Sequence, residues 1–212
     1  MIRYIYGNDL HKFPKLARTM FLDRADQFKT RLGWDVTVDA RGFERDEYDA
    51  ENPLYVIWEN KDGTHGGSMR LLPTVGRTMV NDHFIHLTDG VHIESPLIWE
   101  CTRFCLARGA APGVAAALML AGGEVMQEFG VMHYVGVFDA RMVRIYKRIG
   151  SSPDILGQEG EGRAMIAVGL WEFSAEAQAK VARTAGITPE MSKRWFARSF
   201  GEIVDEAGLI AA

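Results

Sequence analysis

Cysteine is scarce in this chain, and long apolar runs are missing. The two cysteines, Cys101 and Cys105, imply no disulfide framework and favour a reducing compartment, so a cytoplasmic location is expected. The longest apolar candidate, Val114 to Val125, contains two glycines and a glutamate and is too short to span a bilayer. The first residues also lack the long apolar core of a secretion signal. No membrane association is therefore expected.

An excess of basic charge is missing as well. The 24 Lys and Arg residues face 28 Asp and Glu residues, which gives a formal net charge of −4. This balance argues against a nucleic-acid partner, because nucleic-acid binders usually carry a basic excess. Hydrophobic residues make up 47% and charged residues 25%, as in a globular enzyme. The 212 residues fit one domain, 1–212, in which residues 175–212 form a helical C-terminal extension.

A zinc site is one interpretation of His83, His86 and His92 together with the two cysteines, since the cysteine spacing permits a zinc pair. We favour simple packing, because both cysteines are expected to face the same way on a buried strand. Neither a metal nor a cofactor is predicted.

Hydrophobic periodicity predicts alternating strands and helices. A helical pattern from about Phe13 to Leu32 precedes a polar, turn-rich stretch. The elements predicted after it are a strand pair at Leu54–Trp58 and Gly67–Leu72, a strand Leu97–Ala107, a helix ending near Gly130, a strand Val131–Phe138, a helix Ala140–Ile149, a strand Ala164–Phe173 and helices beyond. This order predicts an α/β fold, a three-layer sandwich with a mixed, largely antiparallel central sheet, similar to the acetyl-transferase superfamily fold.

A buried arginine is predicted in the first helix. Arg24 shares one helical row with Leu16, Met20 and Phe28. An arginine on such an apolar row must either snorkel outward or meet carboxylates. The acidic tract Glu44 to Asp49 offers such carboxylates, although it also fits an ordinary solvated turn.

The strand Leu97–Ala107 carries two charges in apolar surroundings. In a regular strand, Glu100 and Arg103 would point to opposite faces of the sheet. We predict a β-bulge between Cys101 and Phe104 that brings both side chains toward one cleft. A purely structural salt bridge is the alternative to a functional role.

Five short motifs follow one another over residues 24 to 104. They are R-x3-F-x5-W at Arg24, Phe28 and Trp34; E-x-D-x-Y-D at Glu44, Asp46, Tyr48 and Asp49; the strand motif Met69–Thr74 with Arg70; the isolated Phe84; and W-E-x-S/T-R at Trp99, Glu100, Thr102 and Arg103. Each motif is weak alone, but the ordered set is specific. It resembles the acyl-homoserine-lactone synthase family, the autoinducer synthases of bacterial quorum sensing.

The resemblance implies a reaction with two substrates. An acyl group passes from acyl carrier protein or acyl-CoA to the amine of S-adenosylmethionine (SAM), the lactone closes and methylthioadenosine leaves. SAM is then a substrate, and no cofactor is implied. The residues implied for SAM binding and its electrostatic cluster are Arg24, Phe28, Trp34, Asp46, Asp49, Arg70, Phe84 and Thr102.

For catalysis, we choose Glu100 as general base, acting directly or through a water. Backbone N–H groups near Arg103 and Phe104 would stabilise the oxyanion. The residues expected to line an acyl pocket are Leu118, Met126, Val137 and Phe138.

The helix Ala140–Ile149 presents a basic sector that would dock an acidic carrier protein, although a solvated cationic face is nearly as good an interpretation. Its members are Arg141, Arg144, Lys147 and Arg148. Two rival functions are an acyl-CoA-dependent N-acyltransferase of the acetyl-transferase superfamily and a SAM- or acyl-binding regulator without catalysis.

Overall fold

The computed structural model describes residues 1–200, so part of the predicted C-terminal extension, residues 201–212, lies outside the described residues. The strands are β1 (Ile2–Tyr6), β2 (Leu54–Glu59), β3 (His65–Pro73), β4 (Ile98–Leu106), β5 (His133–Asp139), β6 (Asp154–Glu159) and β7 (Ile166–Glu172). The α-helices within residues 1–200 are α1 (Pro14–Ala25), α2 (Met79–His83), α3 (Val114–Phe129), α4 (Ala140–Ile149), α5 (Ala175–Ala185) and α6 (Pro189–Phe200).

The strands form one sheet in the order β1-β2-β3-β4-β5-β7-β6. All neighbours pair antiparallel except β4 and β5, which are parallel. That parallel pairing covers only Ile98–Glu100 and His133–Val135. Beyond these residues β4 stays paired with β3, and β5 stays paired with β7. A gap therefore opens in the middle of the sheet.

Helices cover both faces of the sheet. On one face, α1 packs Leu16 and Met20 against Tyr55 and Ile57 of β2. The predicted row on this helix is confirmed, because Leu16, Met20, Arg24 and Phe28 are all at most 2% exposed. The helix continues past Ala25 as a π-helical turn over Asp26–Arg31.

The larger core lies on the opposite face, where α3 packs Leu118 and Val125 against the sheet. Helices α5 and α6 belong to this layer, since Val181 and Phe196 are buried in the same core. They are thus integral to the fold and are not an added extension. The three-layer α/β sandwich with a mixed sheet is confirmed.

Several elements differ from the sequence prediction. The strands β1 and β6 were not predicted: β1 is short and irregularly buried, and β6 is an exposed edge strand. The stretch between β3 and β4, where the sequence predicts no helix or strand, contains α2. In the polar, turn-rich stretch after the first helix, Val38 forms an isolated bridge with Glu44. Among the helices of residues 1–200, none is long and apolar enough to cross a bilayer.

Candidate active site

The acidic tract after α1 folds back onto Arg24, which is 1% exposed. Arg24 donates from Nε to Glu44 Oε2 at 2.6 Å, and from Nη1 and Nη2 to the two carboxylate oxygens of Asp49 at 2.9 Å each. Burial alone would raise the pKa of Asp49, but the ion pairs with Arg24 and Arg70 outweigh it and hold that pKa well below its usual value. Arg24 therefore meets carboxylates and does not snorkel outward.

Two further arginines complete this network. Arg70 is fully buried and donates to Asp46 Oδ2 at 3.0 Å, to Asp49 Oδ1 at 2.9 Å and to Thr102 Oγ1 at 3.0 Å. Arg103 donates from Nε to Glu44 Oε1 at 3.1 Å and pairs with Asp46 Oδ2 at 2.7 Å. We call these six residues the charge cluster: Arg24, Glu44, Asp46, Asp49, Arg70 and Arg103. Its positive and negative charges balance, as buried charges require.

The bulge in β4 lies where the sequence predicts it. While β3 advances from Ser68 to Arg70, β4 advances one residue more, from Thr102 to Cys105. Arg103 has a φ of +52°, a left-handed conformation that costs a residue with a Cβ roughly 1–2 kcal/mol. Its ion pairs with Glu44 and Asp46 offset this cost. The extra residue turns the Arg103 side chain to the face of the sheet that Thr102 occupies.

The bulge also separates the two cysteines. Cys101 pairs with Leu71 and packs in the core under α3, whereas Cys105 pairs with Ser68 on the α1 face. The expectation that both face the same way is wrong, because the extra residue at Arg103 inverts the alternation of the strand. Both are free thiols. Within residues 1–200, no group of three His, Cys, Asp or Glu side chains could hold a metal ion.

A cavity of about 640 Å³ follows the gap between β4 and β5 and opens to both faces of the sheet. The edges of the gap are Thr102 to Phe104 on β4 and Gly136 to Phe138 on β5. On the α1 face, which we call the polar lobe, the lining includes Phe28, Trp34, Met79, Phe84 and Arg103. On the α3 face, which we call the apolar lobe, it includes Met69, Met119, Gly122, Met126, Tyr134, Phe138 and Trp171.

The aromatic side chains of the polar lobe lie beside the charge cluster. Phe28 stacks on Trp34 with ring centroids 5.2 Å apart and planes 12° apart. The Arg103 guanidinium lies 5.5 Å from the Phe28 ring centroid. Arg103 lines the cavity, whereas Arg24, Asp46, Asp49 and Arg70 lie behind it. The structure thus brings the predicted SAM-binding residues into two layers, one at the cavity and one supporting it.

Glu100 lies near this lobe but is 1% exposed. Its oxygens accept hydrogen bonds from the N–H groups of Met79 at 3.0 Å and Val80 at 2.6 Å, in the first turn of α2. Burial raises the pKa of Glu100 to about 7, although these N–H groups act to lower it. Met79 Sδ also lies 3.9 Å from Arg103 Nη1, so Glu100 and Arg103 flank one residue. Among the described residues, the cavity lining includes Met79 but not Glu100.

Three of the four residues expected in an acyl pocket line the cavity: Met126, Val137 and Phe138. Leu118 does not, because it is fully buried between α3 and the sheet. Its neighbour Met119, turned about one quarter of the way around the helix, takes that place in the wall.

The basic sector of α4 is exposed as predicted, and it begins at the mouth of the cavity. All four of its basic side chains are solvent-exposed: Arg141, Arg144, Lys147 and Arg148. Arg141 also lines the cavity and donates to Asp139, which caps the helix. Positive charge therefore extends from the edge of the cavity over the exposed surface of α4.

Glu44 is not among the residues implied for the SAM site, although the acidic tract that it begins offers partners for Arg24. It is 0% exposed and joins Arg24 to Arg103. The position of Glu44 at the start of the acidic tract is the sequence feature that points to it. How deeply each carboxylate of the tract is buried depends on how the tract folds back onto α1, which the sequence pattern does not predict. Met79 carries no comparable signal in the sequence.

We expect Glu44→Gln to lower the free energy of unfolding by about 3 kcal/mol or more, because the buried guanidinium of Arg24 and the mostly buried guanidinium of Arg103 lose their shared charged partner. Urea denaturation would measure this loss. The matched control is Glu51→Gln, whose exposed carboxylate is 3.9 Å from Arg77 and should contribute little. Equal unfolding midpoints for the two variants would contradict the assignment of Glu44.

Comparisons with known proteins agree with this geometry. A family model described as autoinducer synthase matches residues 9–181. The acyl-homoserine-lactone synthase of Rhizobium etli is 38% identical over 183 residues, covering 83% of this chain and 86% of that protein.

Solved structures show the same fold. A CoA-dependent acyl-homoserine lactone synthase, BjaI, solved with SAM and isopentyl-CoA, has a TM-score of 0.80 at 22% identity, covering 90% of this chain and 91% of that chain. An acyl-CoA N-acyltransferase from Pseudomonas aeruginosa has a TM-score of 0.52 at 15% identity, covering 82% and 99%. The expected likeness to acetyl-transferase folds is confirmed. The match of the family model and the identity to the Rhizobium etli protein together show that this chain belongs to the autoinducer synthase family, as an acyltransferase of the acyl-homoserine-lactone synthase type.

Proposed function

We propose that this acyl-homoserine-lactone synthase receives its two substrates from opposite faces of the sheet. SAM occupies the polar lobe, the acyl chain occupies the apolar lobe, and the amine meets the thioester in the gap between β4 and β5. The observation that carries this proposal is a single cavity with the Arg103 guanidinium and a stacked aromatic pair at one end and mainly apolar side chains at the other. A zwitterionic sulfonium and an acyl chain need those two environments.

Arg103 is the arginine of the charge cluster that meets the SAM carboxylate, since the cavity lining includes Arg103 but neither Arg24 nor Arg70. The rings of Phe28, Trp34 and Phe84 stack on adenine or contact the sulfonium. Asp46 and Asp49 keep the arginines in place. This division of labour is supported by the cavity lining, which includes Arg103 but none of Arg24, Asp46, Asp49 and Arg70.

The reaction takes two substitutions. In the first, the neutral SAM amine attacks the thioester carbonyl and the C–S bond breaks. Glu100 accepts the proton released by nitrogen and returns it to the sulfur, so that the carrier leaves as a thiol. Because the Glu100 carboxylate is bonded to α2, the proton reaches it through a water. Backbone N–H groups near Arg103 and Phe104 stabilise the oxyanion. In the second, a SAM carboxylate oxygen attacks the γ-carbon and expels methylthioadenosine, which needs mainly positioning.

The acyl donor is a carrier protein in this proposal, with acyl-CoA as the second candidate. The exposed basic sector of α4 beside the cavity mouth supports an acidic protein partner. Two free thiols support a reducing, cytoplasmic location.

The rival function, an acyl-CoA-dependent N-acyltransferase that does not use SAM, is not favoured, because it has no need of a charge cluster joined to a stacked aromatic pair.

Incubation with SAM and a mixed pool of acyl carrier proteins and acyl-CoAs tests the proposal. We expect mass spectrometry to detect equal amounts of methylthioadenosine and an acyl-homoserine lactone. An acylated product that retains the adenosyl group, or lactone formation that does not require SAM, would count against it.

We expect Glu100→Gln to lower kcat by roughly 10²–10⁴-fold, the usual contribution of a general base. In the unmodified enzyme, kcat/KM should rise as the pH passes through about 7, because the base must be a carboxylate and burial raises its pKa to about 7. The variant should lose that rise.

The raised pKa of Glu100 also makes the stability of the fold depend on pH. The folded state favours the protonated carboxyl, so Glu100 contributes fully to the free energy of unfolding below its unfolded pKa, and this contribution is lost as the pH rises through about 7. The Gln variant should therefore remain folded at pH 8. Glu124→Gln, another buried glutamate bonded to Ser192 and outside the cavity lining, is the control. Turnover by Glu100→Gln close to that of the unmodified enzyme would remove Glu100 from the role of base.

We expect Arg144→Glu combined with Arg148→Glu to raise KM for an acyl carrier protein roughly tenfold at low salt, with kcat unchanged, because electrostatic steering is lost. The increase should shrink at high salt. The control is the same reversal at Lys193 and Arg194, an exposed basic pair on α6. An unchanged KM at low salt would indicate that the α4 sector is only a solvated cationic face.

A further inference from the structure

Two consecutive glycines, Gly122 and Gly123, interrupt the middle of α3, and both line the cavity. Glycine lowers the stability of a helix interior relative to alanine, because it loses more backbone entropy on folding. Neither glycine is needed for a turn, since both lie within a regular helix of 16 residues. Their positions must therefore be explained by what a Cβ would meet.

Gly122 forms a hollow in the wall of the apolar lobe. Met119, Gly122 and Met126 lie on one face of α3, at i, i+3 and i+7, and all three line the cavity. A Cβ on Gly122 would lie 2.9 Å from Met69 Cε and 3.5 Å from Tyr134 Cε2. Tyr134 belongs to the part of β5 that is still paired with β4. The hollow thus lies under the closed part of the sheet, away from the gap.

Gly123 fixes the neighbouring wall. A Cβ there would lie 1.9 Å from Gln178 Oε1 of α5, and Gln178 Nε2 donates to Leu120 O at 3.0 Å. The Gln178 side chain therefore packs against Gly123 and holds α5 directly against α3. The wall beside Gly122 is therefore held by a hydrogen bond and close packing, and it cannot retreat easily to make room.

The geometry points to Gly122 as the residue that sets the longest acyl chain this enzyme accepts. This inference rests on the proposed placement of the acyl chain in the apolar lobe. Methionine side chains adjust to ligands of different length because they are flexible. A Cβ attached to the helix does not adjust, and it would push Met69 into the space of the terminal acyl carbons.

The test is a competition among acyl donors on the same carrier, from four to fourteen carbons in steps of two (about six donors), with SAM. Lactones are quantified by mass spectrometry. For Gly122→Ala, we expect the kcat/KM of the longest accepted chain, relative to a chain four carbons shorter, to fall about tenfold or more, since one methylene in a pocket discriminates by 10–200-fold. Thermal unfolding should show no loss of stability, because alanine favours the helix.

Matched variants separate this effect from general damage to α3. Met126→Ala, on the same wall, should shift the products toward longer chains. Leu118→Ala removes a fully buried side chain of α3 outside the cavity lining and should leave chain preference unchanged. The same chain-length distribution in Gly122→Ala, Met126→Ala and the unmodified enzyme would overturn the inference. If the unmodified enzyme forms no lactone from any donor, the proposed function fails instead.

Discussion

The mutual neutralisation of buried charge is the constraint on which the site depends. Three guanidinium groups and three carboxylates lie together on the α1 face of the sheet, and removing one of them would leave the cluster with a net charge that nothing in it neutralises. The same ion pairs hold Arg103 in a left-handed conformation. The bulge, the direction of the Arg103 side chain and the edge of the cavity are therefore consequences of one electrostatic requirement.

The single parallel pair in the sheet has an equally large effect. Because β4 and β5 pair over three residues each and then separate, the cavity can connect two faces that differ in chemistry. The charge cluster and the stacked pair of Phe28 and Trp34 lie on the α1 face, whereas α3 contributes mainly apolar side chains on the other face. In the proposed arrangement, the amine and the thioester meet in the gap, where no hydrogen-bonded strand pair separates the two faces.

Local patterns predicted much of this arrangement. The row from Leu16 to Phe28 and the conflict between Glu100 and Arg103 on one strand are properties of short segments, so the helix face and the bulge were predictable. The edge strand β6 was not, because its exposed residues lack apolar alternation. Three features depend on contacts between segments that are distant in the sequence, and short sequence patterns do not predict such contacts. They are the burial of Glu44, the orientation of the Glu100 carboxylate toward α2 and the exclusion of Leu118 from the cavity lining.

Cys101 places a thiol in the wall of a cavity proposed to hold a reactive thioester. Exchange between thiol and thioester requires the thiolate form. Burial and the nearby Glu100 together raise the pKa of Cys101 to about 12, so the sulfur stays protonated at neutral pH. The packing that inserts Cys101 beside Met69 thereby protects the enzyme from acylating itself, and the acyl group remains available to the amine.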